Sequence, residues 1–178
     1  MALQFTASEW IDASPNVVYG VATNLELAGK WMPNFVRMEK LTPGLFGPGT
    51  KFRETRKMFG KTASELFEVT AADPPRRLDL SVDGSQGDSK RGRYDFVYEF
   101  ESDGDGTRVS LTGTIRQASW LWGLLGRPFI GGMRKLCVTD LRALKNYIES
   151  QSTVLRHSTT AMPVFTPRDA VEAIRRPH

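Results

Sequence analysis

Apolar and polar residues alternate one by one over much of this chain, and the alternating stretches are separated by glycine, proline, aspartate and serine. Leu3, Phe5, Ala7, Glu9 and Ile11 alternate with Gln4, Thr6, Ser8, Trp10 and Asp12, a period of two that predicts an opening strand. Ser14-Pro15 then supplies an N-cap with proline at the first helical position, and Val17, Val18, Val21 and Ala22 follow at helical spacing. This helix is short and ends near Asn24. A second short helix is predicted from Leu25 to Trp31, stopped at Met32-Pro33 because proline disfavours helix in the residue before it.

Strand signals follow over Phe35 to Leu41, Thr50 to Phe59, Thr62 to Ala72 and Leu78 to Val82, punctuated by Thr42-Pro43-Gly44, Gly47-Pro48-Gly49, Gly60 and Asp73-Pro74-Pro75. The polar run Asp83 to Gly92 reads as an exposed loop. Arg93 to Glu101 carries the clearest alternation, with Tyr94, Phe96, Tyr98 and Phe100 on one face. Asp103-Gly104-Asp105-Gly106 makes a hairpin, and Val109, Leu111, Gly113 and Ile115 share a face of its return strand. From Gly131 to Ser150 the period changes. Met133, Cys137, Leu141, Leu144 and Ile148 form the apolar stripe of a long amphipathic helix. The order predicts an α+β fold: a curved antiparallel sheet of about seven strands wrapped around a long C-terminal helix, with two short helices after strand 1.

At 178 residues, 40% hydrophobic and 25% charged, the chain has the composition of one ordinary globular domain. We place that domain at 1–150, followed by a polar tail at 151–178. Within the tail, Thr166-Pro167-Arg168-Asp169 has capping-box character, so either a short helix over 167–175 or a frayed end is expected. Cys137 is the single cysteine, which rules out a disulfide within the chain and fits a reducing, cytoplasmic setting. The opening residues lack a basic segment followed by an apolar one, so no secretory signal is read there.

Histidine narrows the chemistry further. The two that occur, His157 and His178, lie in the tail, so no imidazole is offered for a triad, a zinc site or a proton shuttle, and neither metal nor cofactor is expected. The net charge of +4 is evenly spread. Its densest cluster, Lys51, Arg53, Arg56, Lys57 and Lys61, contains Glu54 and reads as a solvated sheet face rather than a phosphate track, so nucleic-acid binding is not expected. Trp120 to Met133 is the most apolar run, but glycines, Arg127 and Pro128 break it well short of the ~20 residues that span a bilayer. Stable membrane insertion is not expected either.

Several segments, in order, carry a resemblance: Ile11-Asp12-Ala13-Ser14-Pro15-Asn16-Val17-Val18-Tyr19, Lys30-Trp31-Met32-Pro33, Gly49-Thr50-Lys51-Phe52-Arg53-Glu54 and Asp73-Pro74-Pro75-Arg76-Arg77-Leu78. With Gly60-Lys61-Thr62, Glu68-Val69-Thr70 and Gly106-Thr107-Arg108-Val109, they resemble the polyketide cyclase/dehydrase family of the START-like superfamily over roughly residues 3 to 149. The resemblance implies a helix-grip fold, in which the sheet wraps the last helix and leaves an apolar cavity between them. It does not fix function, since relatives variously bind lipids, hormones or pigments, cyclise polyketides, or contact other proteins.

In such a fold Phe52, Phe67, Val69, Leu80, Tyr94, Phe96, Tyr98, Leu111 and Gly113 would face the long helix. They would either line a pocket, joined by Met133, or fill a solid core. Glu54 and Arg56 share the pattern face of Phe52 and Met58, so they would either enter that interior or pair in water at the sheet edge. Trp31, Met32 and Phe35 on one side, and Trp120 to Phe129 on the other, would frame a mouth, a dimer contact or a membrane-touching edge, the first two being favoured. Three functions follow as expectations. The first is a carrier or sensor for an apolar or aromatic small molecule, such as a lipid or polyketide. The second is a cyclase or dehydratase in which Glu54 removes a proton alpha to a carbonyl while Arg56 or a tyrosine stabilises the enolate. The third is a homodimeric interaction module without ligand.

Overall fold

The alternating stretches form seven strands in the structure, a computed structural model that describes residues 2–58, 60–88, 92–116 and 122–160. Strand β1 (Ala2–Ile11) leads into α1 (Pro15–Thr23), a 3-10 turn at Leu25–Leu27 and the single turn α2 (Ala28–Trp31). Then come β2 (Phe35–Lys40), β3 (Lys51–Met58), β4 (Lys61–Asp73), β5 (Arg77–Asp83), β6 (Arg93–Asp103) and β7 (Gly106–Arg116), and last α3 (Trp122–Thr160). All neighbouring strands are antiparallel, in the order β1-β7-β6-β5-β4-β3-β2. A meander from β2 to β7 is therefore closed on its far side by β1, which crosses over through the two short helices.

Differences from the sequence pattern have local causes. The long helix exceeds the expected Gly131 to Ser150 at both ends. Its first two turns carry Gly123, Gly126 and Pro128, residues that lower helix propensity and so concealed a helical start. The loop after β5 begins with a 3-10 turn, Gly84–Gln86, nucleated by the Asp83 carboxylate, which accepts from the Ser85 amide at 3.0 Å. Trp120 and the stretch 167–175 lie outside the described residues, and so does the side chain of Phe129.

α3 lies closest to β1, where packing is dense. Ile11, Val18 and Val109 are fully buried there, with Ile148 on the helix at 2% exposure. Thr107, also fully buried, donates its hydroxyl to the Ala13 carbonyl at 2.7 Å and fixes the start of α1 against β7. Lys145 reaches from α3 to the Trp10 carbonyl at 2.7 Å and to Glu149 at 2.8 Å, its ammonium 5.1 Å from the Trp10 ring centroid. Nearby, Phe5 stands opposite Gly113, and its ring covers that glycine so closely that a Cβ there would lie 2.3 Å from Phe5 Cζ. Toward β3, β4 and β5 the curved sheet leaves the helix, and the two are no longer in direct apolar contact throughout.

Candidate functional site

Between α3 and the diverging half of the sheet lies a cavity of about 460 Å³. Its walls follow from strand alternation: every second residue of β3 (Phe52, Glu54, Arg56), β4 (Ala63, Glu65, Phe67), β5 (Leu78, Leu80, Val82) and β6 (Tyr94, Phe96, Tyr98, Phe100) faces it. Leu111 on β7 adds to this wall, and Met133, Leu136, Cys137 and Asp140 line the cavity from α3. Trp31 of α2 and Met32, which caps it, also line the cavity. Aromatic rings run along the wall: Phe52 and Phe67 are stacked at 5.2 Å between centroids, Phe96 continues the stack 6.4 Å from Phe67, and Phe46 lies tilted 6.4 Å from Phe52.

Of the residues expected at a pocket, Trp31, Phe52, Phe67, Tyr94, Phe96, Tyr98, Leu111 and Met133 are brought together here. Phe35 is not among the lining residues; its ring packs against Gly29 of α2. Gly113 is likewise absent from the wall, being covered by Phe5. Glu54 and Arg56 turn inward with Phe52, and Arg56 is only 5% exposed. The basic cluster is thereby split: Lys51, Lys57 and Lys61 face solvent, while Arg56 belongs to the interior.

A buried guanidinium needs partners for its five N–H groups, and Arg56 finds them. Nη1 and Nη2 donate to the two carboxylate oxygens of Asp140 at 2.7 and 2.6 Å, a bidentate bridge from β3 to α3. Nε and Nη2 also donate to the Pro33 carbonyl at 3.2 and 2.9 Å. That carbonyl is presented by the turn after α2, where Asn34 takes a left-handed backbone at φ 56° and accepts from the Lys57 amide at 2.9 Å. Glu54 Oε1 lies 3.5 Å from Nη1 on the other side.

Glu54 is consequently a carboxyl whose nearest cation is already engaged. Burial pushes its pKa up from 4.5 to about 7, against the lowering effect of Arg56 and with a further rise from the Asp140 charge. Burial also raises Asp140, although its bond to Arg56 pulls the other way. Tyr98 is raised well above the usual phenol range by burial and by the neighbouring acids, so its hydroxyl stays a neutral donor. Among the described residues that hydroxyl has no hydrogen-bond partner. Burial pushes the Cys137 thiol up to about 12, which keeps it protonated and unreactive. The indole Nε1 of Trp31 is buried without a partner among the described residues.

Asp140 was not among the residues singled out in the sequence, yet its signal was present: it sits three residues after Cys137, on the apolar stripe of α3. Glu65 stands directly across from Glu54 in the β3–β4 register and two residues before Phe67, so strand parity would have placed it on the same face. Among the described residues no helix is long and apolar enough to cross a membrane.

A seven-stranded sheet gripping a C-terminal helix around an apolar cavity with a small polar cluster defines the helix-grip class of START-like proteins. The model of the polyketide cyclase/dehydrase and lipid transport family matches residues 2–149, and the chain belongs to that family. No curated protein matches the sequence. Among solved structures, the Thermus thermophilus protein TTHA0849 is 25% identical with a TM-score of 0.70, covering 84% of this chain and 99% of that one. The Zhui aromatase/cyclase from Streptomyces sp. R1128 superposes with a TM-score of 0.71 at 15% identity, covering 85% of this chain and 96% of its own. Ginseng major latex-like protein 151 from Panax ginseng gives a TM-score of 0.63 at 10% identity, over 82% and 97%. At such identities the last two establish a shared fold alone.

Proposed function

We propose that this protein binds an apolar, flat small molecule in the cavity between its sheet and α3, as a carrier or sensor. The observation that supports this most is the 460 Å³ space itself, walled by stacked phenyl rings and by Leu111. A space of that size lies within the range of small-molecule sites, and burial of apolar ligand surface would supply most of the affinity. Native mass spectrometry of protein purified from its host tests the reading directly. A mass excess that disappears on denaturation, and yields an extractable apolar compound, is the expected result. Ala63→Phe, which adds a ring inside the wall, should abolish that excess while leaving the thermal midpoint nearly unchanged. A cavity that stays empty in the cell and takes up no added aromatic probe would sink the proposal.

A second reading is favoured by Glu54, whose pKa near 7 suits it to exchange a proton at neutral pH. In that reading the cavity is a cyclase or dehydratase site, Glu54 removes a proton alpha to a ligand carbonyl, and the Tyr98 hydroxyl meets the developing enolate oxygen. Arg56, with its donors committed to Asp140 and Pro33, contributes a fixed positive charge instead of a direct contact. Solvent deuterium incorporation alpha to the carbonyl of a bound aromatic ketone, lost in Glu54→Gln, is the outcome this chemistry requires. Wild-type protein that binds the ketone without exchange would leave binding alone.

A further inference from the structure

The polar corner of the cavity specifies what the bound molecule must carry. The Arg56 guanidinium points all its N–H groups elsewhere: two at Asp140, two at the Pro33 carbonyl, and the remaining one toward Glu54. No donor of the cavity's buried cation is left for an anionic ligand. Two carboxyls flank it instead, Glu54 at 13% and Asp140 at 21% side-chain exposure, so a carboxylate ligand placed there would lose its water with no free cation to receive it, and would meet the Asp140 charge, joined above about pH 7 by that of Glu54. The neutral Tyr98 hydroxyl lines the same corner without a hydrogen-bond partner among the described residues, so it is free to donate. We infer that the cavity selects an uncharged aromatic ligand bearing a hydrogen-bond acceptor such as a ketone, held by the Tyr98 hydroxyl and the Glu54 carboxyl, and that it rejects carboxylates such as free fatty acids. This rests on the binding function proposed above.

The assignment has a pH signature. Glu54 shares the cavity with Arg56 on its own strand, Glu65 on β4, Tyr94 and Tyr98 on β6, Asp88 after β5, and Cys137 and Asp140 on α3; β5 itself presents only Leu78, Leu80 and Val82. Below about pH 7 the Glu54 carboxyl is protonated and donates to a ligand carbonyl. Above it, two acceptors would oppose each other, and a bound ketone would also cover a charge. Ketone affinity therefore falls as pH rises, by up to about tenfold for each pH unit above the pKa.

A matched set of probes tests this: 2-acetonaphthone, 2-naphthoate and naphthalene, titrated into the protein by calorimetry near pH 6 and near pH 8. The ketone is expected to bind at least about tenfold more tightly than the carboxylate near pH 6, and to lose about tenfold by pH 8. Glu54→Gln should flatten that pH dependence, whereas Tyr98→Phe should weaken the ketone more than it weakens naphthalene. Naphthoate binding as tightly as the ketone in the wild type overturns the inference while leaving apolar binding intact. Failure of all three probes overturns both.

Discussion

The two flanks of α3 face the same sheet and differ in what lies between. Along β1 the helix rests on fully buried Ile11, Val18 and Val109, and the space is solid. Along β3, β4 and β5 it faces an opening, spanned by the Arg56–Asp140 bridge. Apolar side chains line both flanks, so hydrophobicity alone does not separate a core from a cavity. What separates them is how far the curved sheet stands from the helix, and among the described residues the hollow flank alone contains a buried ionic bridge between sheet and helix.

The sharpest way to break the comparison is to delete the same kind of side chain on each flank of one helix. Ile148→Ala should cost about 3–5 kcal/mol, because it opens a void in close packing. Leu136→Ala, whose methyl groups border space that is already empty, should cost about 1–2 kcal/mol. Denaturant titration of both variants measures the gap, and equal losses would mean that the flanks are packed alike.

Next in size is the effect of pH on the hollow flank. Glu54 holds its proton more tightly when folded, so its contribution to stability is complete below about pH 4.5 and is lost as pH rises through about 7. At about 1.4 kcal/mol for each pH unit between those two values, the loss is about 3–4 kcal/mol. Glu54→Gln should therefore be more stable than the wild type at pH 8 and should lack that slope, as thermal unfolding across the range will show. A wild-type stability that is flat between about pH 4.5 and 7 would contradict the burial of this carboxyl.

The solid flank offers a smaller test. Thr107→Val keeps the shape but leaves the Ala13 carbonyl without its donor, at a cost of about 1–2 kcal/mol by chemical denaturation. Smallest of all is Leu45→Ser in the loop between β2 and β3. Leu45 is 95% exposed, and its loss should change stability by less than about 0.5 kcal/mol.

Most of this architecture could be read from the chain because strand alternation sorts residues onto faces without knowledge of partners. The aromatic face of β6 and the common face of Phe52, Glu54 and Arg56 were legible for that reason, but whether Glu54 and Arg56 entered the interior or paired in water at the sheet edge was not. Whether the face enclosed a core or a cavity was not, since that depends on sheet curvature, a property of strands acting together. The pairing of Arg56 with Asp140 joins residues on separate elements, and sequence order carries no record of it. The protonation of Glu54 was open for the same reason. Arg56 beside it would lower its pKa, and only the prior claim of Asp140 and Pro33 on that guanidinium lets burial prevail. Phe35 escaped because the register shift between Phe35 and Arg37 breaks the alternation that would have set its direction.

Phe5 and Gly113 pair across β1 and β7, the ring of one occupying the place of any side chain on the other. In the history of a lineage these two positions are therefore a single locus with a fixed order of change. A methyl group at 113 is accessible only to a descendant that has already traded the phenyl ring at 5 for something smaller.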